Sequence, residues 1–134
     1  MSDTYWNSEE YSRELERLQI EYWSSLPKEE PMSVEEFDAL EDAAIDRFEK
    51  DKADGKCRYV TLSDYLRGAY NDAARRVNPG EYYRVWSGCY PCYYSTWSHS
   101  HEHNNKAYYY INKALACGLA DNAADAVKWF EDNK

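Results

Sequence analysis

The chain has 134 residues, is 43% apolar and 31% charged, and holds only 5 Gly and 4 Pro. That excludes a disordered, collagen-like or loop-dominated chain, and the length suits one domain able to bury about two-thirds of its surface. A net charge of −9 argues against direct DNA binding and against attraction to an anionic membrane.

No stretch approaches the ~18 apolar residues of a membrane span. Met1-Ser2-Asp3-Thr4-Tyr5-Trp6 lacks the basic start and apolar run of a signal peptide. Four cysteines are too few for a disulfide scaffold, so the expected setting is a reducing cytoplasm. Residues 1–54 contain 17 acids and 6 bases, whereas residues 55–134 contain 8 acids and 10 bases. Aromatic residues are biased the other way: 8 Tyr and 2 Trp stand between Tyr82 and Tyr110. The reading is one domain over 1–134, with an acidic helical part (1–54) and an aromatic-rich body (55–134).

The first helix is expected after Ser8, whose hydroxyl can cap its free amides, with Glu9 and Glu10 favourable at the positive end of the helix dipole. Tyr11, Leu15, Leu18 and Tyr22 recur at helical spacing and form its expected inward stripe, with Ile20 and Trp23 off it. Pro27 ends it. Ser33-Val34-Glu35-Glu36 then reads as a capping box. Behind it, Val34, Phe37, Leu40, Ala44, Ile45 and Phe48 share one broad arc, of which Phe37, Leu40 and Phe48 are predicted to be buried against the first and third helices. Gly55 is the stop signal.

Thr61-Leu62-Ser63-Asp64 opens a third helix with an inward face of Leu62, Tyr65, Leu66, Ala69, Ala73 and Val77, and Asn78-Pro79-Gly80 breaks it. Tyr82–Trp86 and Tyr93–Trp97 have strand composition around a turn-like Ser87–Cys92 segment, so a short hairpin is expected. Two further helices follow, about His103–Ala116 and Asn122–Asp132, joined at Cys117-Gly118-Leu119. The expected fold is mainly α: a compact bundle of about five helices with one short β-hairpin-like element near 82–97.

Opposite the apolar arc of the second helix, Glu35, Asp38, Asp42, Asp46 and Glu49 fall on one narrow face. They span roughly 21 Å at about 1.5 Å per residue, or about one charge per 4–5 Å, against about one per 1.7 Å of duplex DNA. Only Asp46–Lys50, at i,i+4, and Asp42–Arg47, at longer reach, could pair these carboxylates in sequence. An ordinary solvated face has this pattern too. The functional reading is a surface that docks on a basic groove of a partner protein, such as one built to hold nucleic acid. Small acidic inhibitors that phages use against restriction or CRISPR enzymes share this charge and size, an analogy that rests on nothing else.

The competing class is a zinc-stabilised domain or small hydrolytic enzyme built around Cys89, Cys92, His101 and His103, with His99 nearby and Cys57 and Cys117 as substitutes. The alternating histidines do not have the usual three-to-five-residue spacing, so no metal or other cofactor is expected. The C-terminal helices have helix-turn-helix spacing, but Asp121, Asp125, Glu131 and Asp132 against Lys128 alone do not make a DNA reader. No phosphate loop, nucleophile elbow or His-Glu-x-x-His is present, and a non-catalytic binding module is the expected class. Tyr108-Tyr109-Tyr110 cannot all face inward on one helix, and at least one should be exposed or partner-facing.

Overall fold

The computed structural model describes residues 8–87, 93–94 and 97–134. Within them the chain forms six α-helices: α1 Glu9–Ser24, α2 Val34–Ala53, α3 Leu62–Val77, α4 Pro79–Trp86, α5 His101–Ala116 and α6 Ala123–Asn133. Helix α5 is the central element, packed most extensively on α3 and α6 and touching α2 and α4 as well.

The helix ends follow local chemistry. Ser8 accepts the Tyr11 amide at 3.1 Å, and Ser33 accepts the Glu36 amide at the same distance. The full reciprocal capping box occurs at Thr61–Asp64, not at Ser33–Glu36; at Ser33 only the forward bond forms. Gly55 and Gly118 close α2 and α5 with φ of +72° and +68°, a backbone region that favours residues without a Cβ.

Two corrections concern α4 and α1. The segment Tyr82–Trp86, expected as a strand, is helical, and no strand occurs among the described residues. Pro79 pre-sets the φ of the first turn and loses no amide bond there. Tertiary burial does the rest, since Val85 is fully buried and Tyr82 and Trp86, one turn apart, lie on the same core. Among the described residues the helices therefore number six rather than about five. Residues 93–94 form a bend, and residues 88–92, where the turn with Cys89 and Cys92 was expected, lie outside the described residues, as do 95–96.

Helix α1 is turned away from the expected orientation. Leu15, Leu18 and Tyr22 of its apolar stripe are 41%, 49% and 60% exposed. The opposite side packs on α4: Trp23 stacks on Tyr83 at 5.3 Å and lies 6.2 Å from Tyr82. The two ring contacts of Trp23 take the place of that stripe, because a ring packed on rings buries a large area and adds specific geometry. The approach is close enough that a Cβ on Gly80 would meet the Ser24 Cα at 3.2 Å. Helix α2 consequently touches α3 and α5, and not α1.

This rotation buries Glu16. Burial raises its carboxyl above the ordinary value of 4.5, only partly offset by the Arg84 charge. The neutral acid is thus the better fit, and ionisation costs stability as pH rises from 4.5 through the folded-state value. Glu16→Gln is expected to raise the melting temperature at pH 7, with the gain vanishing below about pH 4.5, where both side chains are neutral. Thermal melts of both proteins across pH 4–7 check the sign.

Candidate functional site

Helix α2 presents its five carboxylates to solvent, as its period requires: Glu35, Asp38, Asp42, Asp46 and Glu49 are all exposed. The reverse face supplies Phe37 and Ala44, both fully buried. Phe37 stacks on Tyr70 at 5.3 Å and meets Tyr109 edge-on at 5.8 Å, which fixes the rotation of α2 about its axis. Among the described residues none of the five carboxylates forms an ion pair, and the Asp46–Lys50 and Asp42–Arg47 pairs do not close. Helix α1 differs: Arg13 pairs with Glu9, and Arg17 with Glu14 and Glu21. Among the described residues the five α2 carboxylates therefore stand without an ion pair, while three of the five acids of α1 share two arginines.

One of the five is tied to the body. Asp38 accepts from the Tyr109 hydroxyl at 3.5 Å, and that hydroxyl accepts from Lys113 Nζ at 2.9 Å. Burial works against the Lys113 charge, but the Tyr109 bond and the nearby Asp38 outweigh it and keep the ammonium favoured. At the far end of α2, the Tyr65 hydroxyl donates to Asp51 at 2.7 Å, and this bond to a carboxylate is the main reason that the phenol is pushed up to about 12.

Beside the acidic face lies a groove of about 600 Å³ between α3 and α5, with α2 at one end. Leu66 and Tyr70 from α3 and Tyr109 and Tyr110 from α5 line it, and Glu41 contributes the α2 edge. The Tyr70 phenol is held well above its ordinary pKa, chiefly by burial and then by the Glu41 charge beside it. The Tyr108–Tyr110 run fans over three neighbours: Tyr108 stacks on Trp86 at 4.7 Å, Tyr109 on the Phe37–Tyr70 pair, and Tyr110 against Trp129 at 5.7 Å. All three are half-buried. Composition flagged this run, but the groove itself was missed, because it depends on how α3 and α5 lie together. Tyr70 had a signal, standing one turn beyond Leu66 on the same helix.

The histidines would point one way only on an extended run, and they do not form one. His101 and His103 occupy the first turn of α5, capped by Ser100, which accepts the His103 amide at 3.3 Å. Two residues apart on a helix, they project about 200° apart. His103 packs edge-on against Phe130 at 5.5 Å, whereas His101 is exposed. His99 sits in the preceding bend. Cys57 and Cys117 are free thiols, and no metal-ligating cluster forms among the described residues. The αα-hairpin of α5 and α6 packs its small residues into the core, with Ala114, Ala123 and Ala126 buried.

The chain matches no protein-family model, and no curated protein or solved structure is significantly similar to it. No helix among the described residues is long and apolar enough to cross a membrane.

Proposed function

We propose that this protein is a non-catalytic binding module whose α2 face docks on a basic protein surface. By occupying such a surface it would act as an inhibitor, and a groove built for nucleic acid is the fitting kind of partner. The observation that carries this reading is the set of five exposed carboxylates on one helix, none of them ion-paired among the described residues, whereas three of the five acids of α1 are paired to its arginines. Exposed charge of one sign steers encounter with its opposite and fixes orientation, acting mainly on the association rate. The spacing is too wide to imitate a duplex phosphate by phosphate, so the mode is field complementarity rather than copying.

The test uses Asp38→Asn/Asp42→Asn/Asp46→Asn, in which each amide retains an acceptor oxygen and the fold is kept. Affinity capture with the wild-type chain isolates the partner, and association is then timed for both proteins. The triple variant is expected to associate at least about tenfold more slowly at low salt, with dissociation little changed. Wild-type association should fall steeply as ionic strength rises. An association rate indifferent to both changes overturns the proposal.

A further inference from the structure

We propose that the tyrosine-lined groove between α3 and α5 is the anchor pocket for an arginine side chain of the partner, seated between the tyrosine rings with its guanidinium on Glu41. This inference rests on the acidic-face reading and names the group that the basic partner inserts.

Four ionised side chains line the groove: Glu41, Arg67, Glu102 and Lys106. Arg67 is committed to Asp64 and lies over the Tyr108 ring, and Lys106 pairs with Glu102 at 3.3 Å. Glu41 alone of the four has no ion pair among the described residues. The groove charge left without an ion pair is therefore negative; Glu41 accepts from the Tyr70 hydroxyl, and it sits where the groove meets the acidic face.

The walls at that end are aromatic. Tyr109 and Tyr110 are half-buried, while Tyr70 is buried and packed against both Phe37 and Tyr109. A flat, weakly hydrated cation that can both stack on a ring and bond a carboxylate through two N–H groups suits such a wall better than an ammonium does. The volume of about 600 Å³ leaves room for the side chain together with part of its backbone. Binding of this kind would convert a diffuse electrostatic attraction into a registered one, since an anchor in a pocket carries more binding energy than charges at a rim.

The experiment titrates the intact ¹⁵N-labelled protein with a blocked tetra-arginine peptide, a matched tetra-lysine peptide and a tetra-glutamate peptide. Wild type is compared with Glu41→Gln and with Asp42→Asn as a single-charge control. Glu41→Gln keeps an acceptor beside Tyr70, and a melt confirms the fold of each variant. The expected result is that tetra-arginine binds several-fold more tightly than tetra-lysine and shifts the Leu66, Tyr109 and Tyr110 resonances. Its affinity should fall about tenfold in Glu41→Gln and markedly less in Asp42→Asn. Equal binding of both basic peptides, with shifts confined to Asp38, Asp42 and Asp46, would overturn the anchor while leaving the acidic-face reading intact. Failure of both basic peptides to bind would remove both readings, and tetra-lysine binding as tightly as tetra-arginine or more so would overturn the anchor alone. Shifts at Arg67 and Lys106 caused by tetra-glutamate would also overturn the anchor, by showing that the groove answers to anions.

Discussion

Phe37→Ala is expected to cost about 3–5 kcal/mol, from lost ring burial and from a cavity that its rigid neighbours cannot close. Phe37 is fully buried and stacked on Tyr70, with Tyr109 across its edge. Its core also takes in Ala73 and Ala116 and is walled by Met32, Leu40 and Leu66. The linker before α2 is pinned at the same place, because the Met32 amide donates to the Ala116 carbonyl at 3.0 Å. Little there can move into a vacated ring site. Urea denaturation with a two-state fit gives the loss directly. A cost below about 1 kcal/mol would mean that α2 is rotated about its axis, and the outward direction of the carboxylates would fall with it. The variant therefore tests the site through the core. It also removes the ring behind Tyr70, so the groove should loosen along with the fold.

Some of this geometry was readable in the residues alone, where the signal is local. The capping hydroxyls at Ser8, Ser33 and Thr61, the stops at Gly55 and Gly118, and the outward arc of α2 depend on spacing along one helix, and the structure keeps all of them. The errors came where distant residues decide. Tyr-Tyr-Arg-Val-Trp has strand composition, yet the α4 helix it forms lays Tyr82 and Trp86 on a core supplied by α5 and α6. Helix propensity is a weak prior, and packing overrides it. The α1 stripe failed for a related reason. Periodicity counts apolar positions, whereas the partner face, here Tyr82 and Tyr83, selects by area and shape, and Trp23 outside the stripe fits it better.

The candidate site divides along the same line. Its acidic half was readable, because charge on one exposed helix face needs no partner to be recognised. Its aromatic half was not, since Tyr70 and Tyr109 meet across 39 positions of sequence only when α3 and α5 pack. The histidine triplet illustrates the converse. An alternating pattern points every ring one way on a strand, but a serine cap at Ser100 starts a helix instead and separates the rings of His101 and His103.

Asn112→Leu is expected to destabilise the protein by about 2–4 kcal/mol, although it puts an apolar side chain of similar size in a fully buried position. Asn112 is the hinge of a polar chain through the core. Its Oδ1 accepts from Trp86 Nε1 at 2.9 Å, and its Nδ2 donates to Asn71 Oδ1 at 2.8 Å. Both ends of the Asn112 amide are used, so the bridge ties α3, α4 and α5 together inside the packing. Leucine would leave the indole N–H without an acceptor and the Asn71 carbonyl without a donor, and each stranded group costs about 1–3 kcal/mol. The loss therefore comes from the partners rather than from the substituted side chain. Adding Asn71→Leu removes one stranded group, so the double variant should be less unstable than the sum of the two single losses. Urea unfolding of the four proteins in the cycle measures that coupling, and the Trp86 indole proton should lose its protection from exchange in both Asn112→Leu proteins. Additive losses would show that the Asn71–Asn112 bond carries no coupling, and an indole proton that stays protected would show that Trp86 is held by its stacking on Tyr108 and not by Asn112.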